Sequence, residues 1–171
     1  EISCSLVGSE MCIRDRTNFD INPVIKNTAA SFEGTCRSKF ITIELVLTGE
    51  QMYVNADMVK IQQVLYNLVD NAIKFSHKNS SIKVETIEKS NKLLVSVKDN
   101  GIGIPGEDQS RVFERFYRVD KSHSKAIGGT GLGLSIVKHG VTFLGGTLKM
   151  VSEIGKGTEI TMTFPKERKA V

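Results

Sequence analysis

In the stretch KLLVSVKDNGIGIP, Lys92 to Pro105, the residues Leu93, Val95 and Val97 alternate with Leu94, Ser96 and Lys98. Alternation with a period of two commits the segment to a strand with one face against a core. The next residue on the buried side is Asp99. A carboxylate entering a core must be paired or hydrogen-bonded, so the strand ends in a chemical demand that the rest of the chain has to meet.

The flanking elements follow from similar patterns. SIKVETIE, Ser81 to Glu88, is a second strand, joined to the first by a polar Lys-Ser-Asn turn. From Asp57 to Phe75, Met58, Ile61, Leu65, Leu68 and Ala72 recur at helical spacing and predict a long helix with one buried face. Asp20 followed by Pro23 opens a first helix running to about Phe32, and KFITIELVL, Lys39 to Leu47, reads as a strand. Leu134, Val137, Val141 and Leu144 predict a second long helix. GTLKMVS and TEITMTF close the chain as a hairpin around EIGKGT. Helices interspersed with adjacent antiparallel strands predict an α+β fold: a two-layer sandwich whose mixed, mostly antiparallel sheet carries helices on one face.

With 171 residues, 40% of them hydrophobic, the chain has the size of one domain with a sizeable core. Its 23 basic and 19 acidic residues are interspersed and leave a net charge of +4, which describes a solvated surface rather than a nucleic-acid stripe. No apolar run approaches the roughly 18 residues of a membrane span. Three cysteines without metal-type spacing argue against a disulfide framework and a zinc site and point to a reducing compartment.

Four features carry candidate chemistry. Asp99 either opens an Asp-Asn-Gly turn or accepts from a bound group such as the exocyclic amine of adenine, with Gly101 and Gly103 leaving space for a flat ring. Asn67, Asn71 and Lys74 stand at i, i+4 and i+7 and share the helix face opposite the apolar stripe. Asparagine is a poor helix former, so these amides are candidates for ligating a hard cation such as Mg²⁺, with Lys74 toward phosphate; an ordinary solvated face is the alternative. In VFERFYRV, Phe113, Phe116 and Tyr117 read as core anchors, with Arg115 and Arg118 among them. Gly129, Gly131 and Gly133 are spaced G-x-G-x-G before the last helix, which fits neither a Walker loop nor a dinucleotide fingerprint. By itself that run is a flexible linker or a phosphate-binding loop.

The segment SLVGSEMCIRDR, Ser5 to Arg16, has no helical or strand period and no signal-peptide core. It resembles the conceptual translation of a transposon-based sequencing adapter, in which CTC GTG GGC TCG GAG ATG TGT ATA AGA GAC spells Leu6 to Asp15. Residues 1–16 are therefore expected to be non-native, with the protein proper over 17–171, its upstream part missing and Cys36 its one native thiol.

In order, QVLYNLVDNAIKFS, DNGIGIP, VFERFYRVD, GGTGLGLSIVK and GKGT resemble the N, G1, F and G2 boxes and the closing glycine turn of sensor histidine kinases, over Phe19 to Lys166. The resemblance implies the Bergerat, or GHKL, ATP-binding fold with a lid at about 106–130. It implies ATP and Mg²⁺ as cofactors. Asn67 and Asn71 would hold the metal, and Lys74 and Arg118 would meet phosphates, so that Asn67, Lys74 and Arg118 take part in transfer. Phe75 would line the base pocket and Asp99 would bind the adenine amine. Gly101, Gly103, Ile104, Gly129, Thr130, Gly131, Leu132 and Gly133 would complete the nucleotide site, the last glycines hinging the lid.

Other GHKL branches, the gyrase, MutL and Hsp90 type ATPases and the serine-directed anti-sigma kinases, resemble one another in a glutamate one turn before the metal asparagine. Here that position is Asn67, which cannot take a proton. The implied reaction is transfer of the γ-phosphate to a histidine on a dimerisation domain, followed by a response-regulator receiver domain. A GHKL ATPase or a non-catalytic nucleotide-binding module is the alternative. The implied setting is cytoplasmic, the parent a homodimer with an anchor in the inner membrane as one possibility, and nucleic acid is not an expected partner. Two departures stand out. Gly140 lies within the last helix where an apolar residue is usual, costing about 1 kcal/mol against alanine. His77, His123 and His139 lack the acidic neighbour of the family's phosphoacceptor.

Overall fold

Asp57 ends one element and begins another. Its backbone is extended, and its carboxylate accepts the Lys60 amide at 3.1 Å, satisfying a donor that the first helical turn leaves free. The computed structural model in which this is seen describes residues 16–117 and 133–165. From that cap runs α3, Met58–Phe75, which buries Ile61, Val64, Leu65, Leu68, Val69, Ala72 and Ile73. The fully buried Ile61, Leu65 and Leu68 each stabilise the fold by about 1.5–3 kcal/mol relative to exposure.

Asp20 caps α1, Ile21–Ser31, in the same manner, its Oδ1 accepting the Asn22 amide at 3.1 Å and the Met52 amide at 2.9 Å. Three elements depart from the sequence-based expectation. α2, Glu33–Lys39, takes Lys39 out of the expected strand and ends at Phe40 with φ 56°. Only Cys36 is buried along its seven residues, so no period betrays it. That burial pushes the thiol above its usual range, partly offset by Lys39. β1, Arg16–Asp20, and β3, Tyr53–Asp57, form an antiparallel two-stranded ribbon, each too short for a clear alternation. Arg16, placed by sequence on the non-native side of the boundary, is the first residue of β1 and donates to the Asn55 carbonyl at 2.7 Å.

The main sheet contains β2 (Thr42–Val46), β4 (Ser81–Lys89), β5 (Lys92–Asp99), β6 (Thr147–Glu153) and β7 (Gly157–Pro165), in the order β2-β4-β5-β7-β6. Only β2 with β4 is parallel. Ser90 and Asn91, at φ 51° and 62°, make the two-residue turn between β4 and β5, matching the twist of a tight hairpin. The buried side of the sheet is built in cross-strand rows. Val95 stands opposite Met162, itself opposite Leu148, and Val97 opposite Ile160, itself opposite Met150.

α3 packs on β5 and, beside it, α4 (Gly133–Phe143) packs on β6. This is the expected α+β sandwich. Gly140 now has a reason: a Cβ there would stand 2.4 Å from Val64 Cγ2. The missing side chain lets two helices close on a stiff β-branched residue. Among the described residues no helix is long and apolar enough to cross a membrane.

Candidate functional site

At the end of β5, Asp99 is 5% exposed and faces the helix layer. Its Oδ1 accepts the Gly101 amide at 2.9 Å and the Thr158 amide at 3.2 Å, and no described residue donates to Oδ2. Burial pushes the carboxyl above its ordinary range, while the two amides and the His77 charge pull it back. The turn reading of this residue therefore holds. Oδ1 builds the Asx turn, and the second oxygen stays available to a donor.

The glycines after Asp99 have a packing reason of their own. A Cβ on Gly101 would lie 2.0 Å from the Phe75 carbonyl oxygen, and one on Gly103, at φ +76°, would lie 2.1 Å from that of Glu153. The space that a Cβ would take is used by neighbouring backbone. Ile102 donates its amide to the same Phe75 carbonyl at 3.2 Å, which ties the C-terminus of α3 to the turn. Ile104 donates to Ser152 Oγ at 2.8 Å, and Gln109 Nε2 reaches the carbonyls of Ile104 and Ser152 at 2.9 and 3.1 Å.

The polar face of α3 looks onto the start of α4. Asn67 donates its amide hydrogen to the Gln63 carbonyl at 2.8 Å, and its Oδ1 lies 3.7 Å from where a Gly133 Cβ would be. That oxygen is left as an acceptor facing the start of α4. Asn71 is half-buried one turn further on, and its side chain is held by no described residue. Lys74 forms an ion pair with Asp70 at 3.0 Å, and Phe75 is half-buried beside the turn. Amide oxygens are hard donors that suit Mg²⁺. Among the described residues no group of three or more His, Cys, Asp or Glu could hold a metal, so an ion on this face would keep water or phosphate oxygens, as Mg²⁺ does.

The structure thus brings Asn67, Asn71, Lys74, Phe75, Asp99, Gly101, Gly103, Ile104 and Gly133 to one end of the sandwich. Arg118, Gly129, Thr130, Gly131 and Leu132 lie outside the described residues, as does the expected lid beyond residue 117. In the part that is described, the core-anchor reading is corrected. Phe116 is 66% exposed at φ 64°, Phe113 is half-buried, and Val112 is the buried residue. A left-handed backbone points Phe116 out of the turn, where Arg115 lies over its ring at 5.8 Å. The Tyr117 hydroxyl donates to Asp108, and Arg111 covers the Tyr117 ring at 4.6 Å.

Sequence reasoning missed Thr158, Ser152 and Gln109. The signal for the first two was present. Thr158 continues the buried parity of Ile160, Met162 and Phe164, and Ser152 that of Leu148 and Met150, as Asp99 continues that of Val97.

A capped helix with an amide face, an adjoining buried carboxylate and a glycine-tight turn define a class of nucleotide-binding sandwich. The family described as histidine kinase-, DNA gyrase B-, and HSP90-like ATPase matches residues 56–168, and the chain belongs to that family. Within it the resemblance is to histidine kinases. The signal transduction histidine-protein kinase ArlS of Staphylococcus aureus is 44% identical over 118 residues, 69% of this chain and 26% of its own length. The chain therefore spans about a quarter of the curated relatives it matches. A nucleotide-free form of the catalytic domain of histidine kinase ThkA superposes with a TM-score of 0.78 at 31% identity, covering 89% of this chain and 96% of that one. ThkA in complex with the response regulator protein TrrA gives 0.74 at 30% identity, covering 88% and 42%.

Proposed function

We propose that this chain binds Mg-ATP and hands the γ-phosphate to a histidine on a separate dimerisation domain. The observation that carries the reading is the pairing of a buried carboxylate, one of whose oxygens is held by two amides, with a helix face on which the amide of Asn67 stands one turn before Asn71. Asp99 Oδ2 accepts the adenine amine while Gly101 and Thr158 fix its partner oxygen. Phe75, Gly101, Gly103 and Ile104 wall the base, and Lys74 exchanges Asp70 for phosphate oxygens. Asn67 and Asn71 hold the cation. When bound, Mg²⁺ neutralises phosphate charge and orients the phosphates for in-line displacement. Arg118 and the run Gly129, Thr130, Gly131, Leu132 and Gly133 contribute to the phosphate end.

Asn67 decides between branches of the family. An amide cannot activate water, so the site suits a nucleophile brought from elsewhere. The complex of ThkA with TrrA supports a receiver domain as the next acceptor. The reading carries with it a homodimeric parent and a catalytic domain facing the cytoplasm.

The isolated chain is expected to bind Mg-ATP in calorimetry and neither to label itself nor to hydrolyse ATP quickly. Adding a dimerisation domain with its histidine, from the same kinase, should yield an acid-labile, base-stable phosphoprotein. Brisk ATPase activity of the chain alone, or acid-stable label on it, overturns this reading in favour of the ATPase or serine-directed branches.

A further inference from the structure

Beyond the apolar rows of the sheet, the next cross-strand row is polar: Ser152 on β6, Thr158 on β7 and Asp99 on β5. Thr158 is 7% exposed. Its amide donates to Asp99, and its hydroxyl lies 2.8 Å from Ser152 Oγ. Ser152 Oγ also receives the Ile104 amide at 2.8 Å and donates to the Gly157 carbonyl at 3.1 Å.

A serine hydroxyl has one proton and two acceptor lone pairs. The Ile104 N–H can only donate and the Gly157 carbonyl can only accept, which assigns one lone pair and the one proton. The remaining lone pair meets Thr158, so the threonine must be the donor in that contact. Proton positions here follow from the chemistry of the partners. Thr158 is left with lone pairs and no proton to offer on the Asp99 side.

Resting on the ATP reading above, we infer that Ser152 is a positioning residue for base selection. By taking up the Thr158 hydroxyl proton, it makes the end of the sheet a surface of acceptors alone. An amino group at the purine 6-position is welcomed there. The oxygen of a 6-oxo purine meets acceptors there and is disfavoured relative to the amino group, because neither Asp99 nor Thr158 can answer it with a proton. Ser152 never touches the base; it acts through the direction in which Thr158 points.

The test compares calorimetric affinities of the full chain for Mg-ATP and for Mg-ITP, the 6-oxo analogue. In Ser152→Ala the Thr158 proton is released to turn toward the base. The ATP-to-ITP affinity ratio then falls about tenfold, the worth of one buried hydrogen bond. Ser152→Thr restores the hydroxyl and keeps the wild-type ratio. An unchanged ratio in Ser152→Ala, whatever the absolute affinities do, overturns the inference and leaves Ser152 a structural hydroxyl. A ratio that falls equally in Ser152→Thr also overturns it, because packing and not the proton would be responsible. If Ser152→Ala does not fold, Thr158→Val removes the lone pairs themselves and must lower the ratio as far; a wild-type ratio there has the same negative meaning. A wild-type chain that binds neither nucleotide fails the ATP reading itself.

Discussion

The two halves of the candidate site are built to different degrees. At the base end, Asp99 is buried, accepts two backbone amides on one oxygen and belongs to a row of bonded polar side chains. At the phosphate end, Asn71 is held by no described residue and Lys74 is engaged with its own helix through Asp70. The first is fixed by backbone geometry. The second consists of side chains free to change partner, since an ion pair of that partial exposure contributes little. On the proposed ATP reading, the fold would supply base recognition ready-made, while metal and phosphate would complete their own subsite on arrival.

Breaking the joint between the halves should have the largest effect. Gly101→Ala forces a Cβ onto the Phe75 carbonyl, and neither backbone can yield. Denaturant unfolding should register a loss of about 3 kcal/mol, with nucleotide affinity falling at both ends together.

Next comes the base end alone. Asp99→Asn keeps an oxygen for the Gly101 and Thr158 amides but can present a donor to a donor, so Mg-ATP affinity in calorimetry should fall at least about hundredfold. Stability should move the other way. The folded carboxyl sits above its ordinary range, so the native state binds that proton more tightly than the unfolded chain. The associated stabilisation is complete below the ordinary aspartate range and is lost as pH rises through the raised value. Asparagine mimics the protonated form. The variant should melt no lower than wild type at neutral pH, and any gap should narrow in acid.

Asn71→Ala sharpens the contrast at the other end. Mg-ATP affinity should drop roughly tenfold and metal-free ATP affinity much less, with melting temperature held. An equal loss with and without Mg²⁺ makes Asn71 structural. The smallest change is expected behind the site. Gly140→Ala gains about 1 kcal/mol of helix propensity and loses about 2 kcal/mol to the collision with Val64 Cγ2. The net, about 1 kcal/mol of destabilisation in denaturant titration, would turn positive if α4 can slide.

What was legible in the sequence follows the same division between periodic and local determinants. α3, β4, β5 and the closing hairpin carry long patterns, and Asp20 announces its helix by capping chemistry. α2, β1 and β3 are held by one or two buried residues each, such as Cys36 or Phe19, so no pattern exists to read. Asp99 was visible as an acid in an apolar parity. Ser152 and Thr158 obey the same logic, but a hydroxyl in a strand raises less suspicion than a charge. The role of Gly101 was hidden because its neighbour, the Phe75 carbonyl, is brought near only by tertiary packing.

That carbonyl has a wider consequence. It takes the Ile102 amide at 3.2 Å with Gly101 pressed against it, so the end of α3 and the turn after β5 meet through main chain alone. The distance between the main chain that carries the carboxylate and the main chain that carries the amides is thereby held by backbone contact. The domain is in this sense a gauge. On the proposed ATP reading it would measure its guest from base to phosphate, on a scale that one added methyl group at its pivot can stretch.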